Sequence, residues 1–123
     1  MIKLKALFKS FKYAFHGVII IWRSEQNFRI QFCLAVVVLV AALLLDMPAW
    51  KIIVILLLSI LVLIMELINS ILERLVDALH PKMHTMVAEL KDIMAAAVLV
   101  ASIGALLIGV ILFYSNIALF FAS

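Results

Sequence analysis

Three apolar runs leave this chain one class of fold. Ile30 to Leu45, Trp50 to Met65 and Ile93 to Tyr114 together contain a single charged residue, Lys51. Runs of this length have no soluble core to hide in, and within hydrocarbon the backbone must satisfy its own hydrogen bonds, so each run reads as a transmembrane helix. The first two runs have 16 residues each and need flanking residues to cross about 30 Å of hydrocarbon. The rest of the composition agrees: 69% of the 123 residues are hydrophobic and only 14% are charged, far from the balance of a soluble domain. The expectation is an all-α integral membrane protein forming one domain over residues 1–123. It has three transmembrane helices, at 28–46, 49–79 and 87–114, and an N-terminal amphipathic surface helix at about 3–24. The apolar stretch beginning near Phe28 runs on into a full span, so a cleaved secretory signal is not expected.

The charge surplus of +3 is unevenly placed. Lys3, Lys5, Lys9, Lys12, Arg23 and Arg29 precede the first span, Arg74, Lys82 and Lys91 lie around the second loop, and Lys51 alone belongs to the first. The positive-inside rule puts the N-terminus and the second loop in the cytoplasm and the C-terminus outside. Membrane-surface attraction accounts for the basic arm, so no nucleic-acid partner is expected. Along that arm Leu4, Leu7, Phe8, Phe11, Phe15, Val18, Ile19 and Trp22 recur at helical spacing opposite Lys5, Lys9, Lys12 and His16, the pattern of a helix lying in the interface. Asp46-Met47-Pro48-Ala49 reads as a tight turn and Trp50 as an interface anchor. Cys33 is the sole cysteine, which excludes a disulfide framework and a thiolate metal site. Ala97, Ala101, Ala105 and Gly109 recur every fourth residue and leave a strip where another helix can approach.

The second run acquires a polar seam near its end. Glu66, Asn69, Glu73 and Asp77 fall within an arc of about 80° and spread over about 16 Å of helix. Leu67, Ile68, Ile71, Leu72, Leu75, Val76 and Leu79 cover the remaining faces, so the seam is no ordinary solvated face. Ionisable groups at this depth mark a functional site turned toward other helices. One helix cannot shelter four such groups alone, so self-association is expected. Glu25, His84, Glu89, Lys91 and Asp92 fall at the same edge of the bilayer. Several carboxylates with a lysine and no His/Cys cluster favour a hard cation such as Mg²⁺, held by one or two carboxylates plus substrate phosphates. Glu66, the deepest, is placed to act as base toward a membrane-buried hydroxyl, with metal and phosphates near Asn69 and Glu73. No Walker-type glycine loop or protein-kinase signature is present. An ion or proton pathway is the competing class, but it calls for polar residues reaching both faces, and here they gather at one side. A structural or regulatory subunit would need no such seam.

The run Glu66-Leu67-Ile68-Asn69-Ser70-Ile71-Leu72-Glu73-Arg74-Leu75-Val76-Asp77, followed by Lys91-Asp92-Ile93-Met94-Ala95-Ala96-Ala97-Val98, closely resembles the signature of the small prokaryotic diacylglycerol kinases. Tyr13-Ala14-Phe15-His16-Gly17 and Ser24-Glu25-Gln26-Asn27-Phe28-Arg29-Ile30 extend the resemblance over essentially the whole chain, and the second segment looks more like the undecaprenol kinase branch. The resemblance implies a homotrimeric lipid kinase of the bacterial inner membrane with sites shared between subunits, ATP as donor and Mg²⁺ as cofactor. It implies Glu66 as catalytic base, with Asn69 orienting the reacting groups. Glu25 and Glu73 would be the Mg²⁺ ligands, and Lys91 and Asp92 contacts to ATP. Tyr13, Asp77 and His84 would help form the nucleotide side. The implied acceptor is undecaprenol, with diacylglycerol as the alternative. Three residues depart from the family pattern: Ile71 often has alanine at its place, Met94 a small residue, and Arg74 a small or apolar one.

Overall fold

The computed structural model describes residues 1–79 and 84–122, the side chain of His84 excepted. The chain forms four helices: α1 (Leu4–Ser24), α2 (Gln26–Leu44), α3 (Ala49–Leu79) and α4 (His84–Ala122). Three of them, α2, α3 and the Thr85–Ala122 part of α4, are long and apolar enough to cross a membrane. This is an all-α integral membrane fold. The short loop expected around His80 to Met83 lies outside the described residues.

Local chemistry explains each helix end. α1 stops at Glu25, whose extended backbone (φ −114°, ψ 107°) breaks the helix for one residue. Arg29 donates from Nη1 to the carbonyls of Trp22 (2.8 Å) and Arg23 (3.2 Å), satisfying oxygens that a helix C-terminus leaves free. Trp22 also packs edge-on against Phe28 and Phe32 of α2, so the elbow is both capped and wedged. This capping lets α2 begin directly after Glu25, two residues earlier than expected. At its other end Asp46 takes a positive φ of 51°, and the Met47 N–H reaches back to the Ala42 carbonyl at 3.1 Å. That pairing closes α2 at Leu44, two residues short of the expected end. Pro48 then accepts from the N–H groups of Lys51 and Ile52 and opens α3.

The last helix is longer at both ends than the expected 87–114. Its C-terminal extension has a clear cause, because the polar pair Ser115 and Asn116 is satisfied by Lys51. The ammonium donates to the Leu112 carbonyl (3.0 Å), Ser115 Oγ (2.8 Å) and Asn116 Oδ1 (2.6 Å), and it sits 5.6 Å from the Trp50 ring. Lys51 is therefore a buried residue, 9% exposed, and not a loop lysine.

α3 packs most extensively against α4, then against α2. A small core of Ala42, Met47, Ile55 and Leu112 closes the end of the bundle near the α2–α3 turn. Elsewhere burial is sparse: along α3 only Lys51, Ile55, Val62, Glu66, Ser70 and Val76 are buried, so lipid or other subunits must cover the remainder. The strip on α4 makes no close approach within one chain at Gly109, where an added Cβ would meet no atom within 4 Å. Instead Ala105 and Gly109 line a groove of about 520 Å³ between α2, α3 and α4.

Candidate active site

With 31 residues, α3 is about 46 Å long, well beyond the hydrocarbon thickness of about 30 Å. Counted from its interface tryptophan, Trp50, the far boundary falls about 20 residues on, near Ser70. Glu66 then lies about 6 Å inside that boundary, while Glu73 and Asp77 project beyond it. Exposure follows this order: Glu66 is 5% exposed, Asn69 and Glu73 are half-buried, and the Asp77 side chain is 57% exposed.

Three elements supply the charges. The elbow between α1 and α2 brings Glu25 to α3, where Glu25 and Glu73 are the charged neighbours of Glu66. Asn69 Nδ2 donates to Glu73 Oε1 at 3.2 Å, one helical turn away. From α4, Lys91 pairs with Asp77 at 2.5 Å and also lies within electrostatic reach of Glu73. Glu73, Lys91 and Met94 line a cavity of about 90 Å³ between α3 and α4. Ser70, fully buried beneath the seam at 2% exposure, completes the packed face.

The sequence-expected residues divide accordingly. Glu25, Glu66, Asn69, Glu73, Asp77 and Lys91 come together. Asp92 is exposed on α4, and the side chain of His84 lies outside the described residues. Tyr13 is 71% exposed and stands about 18 Å of helix away from Glu25, apart from the cluster of its own chain. Sequence reasoning missed the elbow contacts of Arg29 and of Arg74, whose Nη2 donates to Ser24 Oγ, and the buried Lys51. For Lys51 a signal existed: it is the lone cation of its apolar run, and Ser115-Asn116 ends the third run at the matching antiparallel height.

Among the described residues no three His, Cys, Asp or Glu side chains gather as a ready metal cage. The donor chemistry nevertheless fits Mg²⁺, which is held by one or two carboxylates with substrate phosphates completing its shell. Asn69 Oδ1 is buried with no hydrogen-bond partner among the described residues, and Glu25 and Glu73 are both acidic neighbours of Glu66. A cation and the polar groups it carries would satisfy both.

An acidic, lysine-bearing cluster thus lies at one end of a bundle of three helices long and apolar enough to cross a membrane. The chain matches the family model described as prokaryotic diacylglycerol kinase over residues 12–113, and it belongs to that family of lipid kinases. It is 40% identical over 104 residues to a diacylglycerol kinase of Synechocystis, covering 84% of this chain and 59% of that protein's length. It is 32% identical over 111 residues to the undecaprenol kinase of Bacillus subtilis, covering 90% of each. To the diacylglycerol kinase of Escherichia coli it is 31% identical over 110 residues, covering 89% of this chain and 90% of that protein.

Proposed function

We propose that this lipid kinase transfers the γ-phosphoryl group of ATP to the hydroxyl of undecaprenol, giving undecaprenyl phosphate at the cytoplasmic face of a bacterial inner membrane. The observation that carries the reading is the buried Glu66, flanked by Glu25 and Glu73, just inside the bilayer boundary. Val62, one turn before Glu66, lines the large apolar groove, so an alcohol whose chain lies in hydrocarbon can present its oxygen to the carboxylate.

Glu66 takes the proton of that hydroxyl as the oxygen attacks the γ-phosphorus, and the bond to the bridging oxygen of ADP breaks. Lys91, oriented by Asp77, meets phosphate charge. Asn69 turns its free Oδ1 toward the reacting groups while its amide nitrogen holds Glu73. Glu25 and Glu73 would hold Mg²⁺, which when bound neutralises charge on the phosphates. Asp92 and His84 would extend the nucleotide side. Tyr13 would join it from a neighbouring subunit, in keeping with its distance from the cluster of its own chain. A homotrimer with shared sites would also cover apolar faces of α2 and α4 that one chain leaves open. The lysines of α1 support a cytoplasmic N-terminus and, across three spans, an external C-terminus.

Diacylglycerol is the second reading, favoured by the higher identity to the Synechocystis diacylglycerol kinase. The two acceptors separate when purified protein in mixed micelles is given labelled ATP, Mg²⁺ and either lipid. Faster labelling of undecaprenol is expected. Equal rates, or a preference for the diglyceride, would overturn the acceptor assignment.

A further inference from the structure

Two arginines converge on the last turn of α1. Arg29 caps its terminal carbonyls from α2. Arg74 reaches across from α3, and its Nη2 donates to Ser24 Oγ at 2.7 Å. The Ser24 hydroxyl in turn donates to the Ile20 carbonyl at 2.7 Å, and the Glu25 N–H donates to the Ile21 carbonyl at 2.8 Å. The cations thus sit at the negative end of the α1 dipole, where they are favoured. Arg74 is the chain neighbour of Glu73, and Ser24 is the chain neighbour of Glu25. The one side-chain hydrogen bond from α3 to α1 among the described residues therefore joins the residues next to the two carboxylates that flank Glu66.

We propose that Arg74 is a positioning residue: by tethering Ser24 it holds the one-residue break between α1 and α2 against α3, so that Glu25 and Glu73 face the same cation. The elbow packs chiefly against α2, and carboxylates that the fold draws together repel one another when ionised. A charge-assisted bond across the gap opposes that repulsion. The inference rests on the lipid kinase reading for its metal, but the tether is a property of the chain itself.

Both parts are tested together. Arg74→Ala should raise the Mg²⁺ concentration for half-maximal lipid phosphorylation about fivefold, the scale of one partly exposed charged hydrogen bond, with KM for the lipid alcohol within about twofold. Arg74→Lys should recover part of the loss. Ser24→Ala, a mild surface change, should give the same shift, and the double variant no more than either single one. Without ATP, Mn²⁺ titrated into detergent-solubilised protein and followed by electron paramagnetic resonance should bind more weakly in both variants. Amide hydrogen exchange over residues 22–30 should also accelerate. Additive losses would mean that Arg74 acts directly on phosphate, and an unchanged Mg²⁺ requirement with unchanged exchange would mean that the tether positions nothing; either result overturns the proposal. If the parent protein phosphorylates neither lipid, the functional reading falls, while Mn²⁺ binding and exchange still decide the role of Arg74.

Discussion

Replacing Lys51 by methionine should destabilise the bundle while sparing the chemistry. The ammonium satisfies Leu112, Ser115 and Asn116 at 3.0, 2.8 and 2.6 Å. Hydrogen bonds to a charged group contribute about 1.5–3 kcal/mol each, so the three amount to about 5–9 kcal/mol before costs. Burying an ammonium that has only neutral partners costs several kcal/mol, and Lys51→Met removes that cost along with the bonds. Methionine also keeps most of the apolar stem. The expected net loss is about 1–3 kcal/mol, or about 5- to 150-fold in the unfolding equilibrium constant. SDS titration of the protein in mixed micelles should show the midpoint fall for Lys51→Met and recover in part for Lys51→Arg. Glu66 lies about 22 Å further along α3, so lipid phosphorylation below the unfolding transition should stay within about threefold. An unchanged midpoint would refute the three-bond clamp. Activity lost in step with Glu66 variants at full stability would refute the separation of clamp from site.

Two further outcomes follow from the cluster and the strip. Glu73→Gln removes a proposed metal ligand, so the Mg²⁺ requirement for ATP binding should rise at least tenfold; an unchanged Mg²⁺ titration would reject that role. Ala101→Leu adds bulk to the small-residue strip of α4, and sedimentation in detergent should show dissociation with loss of activity, whereas normal size and turnover would count against the strip as a subunit contact.

The three spans and the placement of Glu66 were legible because both follow from local rules: hydrocarbon forces helices, and one seam on a cylinder fixes which residues share a face. Glu73 and Asn69, one turn apart, needed only that geometry. What the sequence could not show were contacts between elements. Arg74 reads in sequence only as one of the basic residues around the second loop, and its bond to Ser24 spans 50 positions. Lys51 looked like a loop charge because its acceptors belong to the opposite end of the chain. Helix ends shifted for related reasons, since a cap from Arg29 and a left-handed Asp46 decide them to the residue. Tyr13 shows the converse, because resemblance groups it with a site that its own chain does not bring near it.

The central claim is that Glu66 is the base at the meeting point of lipid alcohol and nucleotide. Glu66→Gln keeps shape and hydrogen bonding but cannot take a proton. Phosphoryl transfer and Mg²⁺-ATP binding should be measured side by side on this variant. Transfer should fall at least a thousandfold, with nucleotide affinity within about threefold of the parent protein. Equal loss of transfer and binding, or retained transfer, would contradict it.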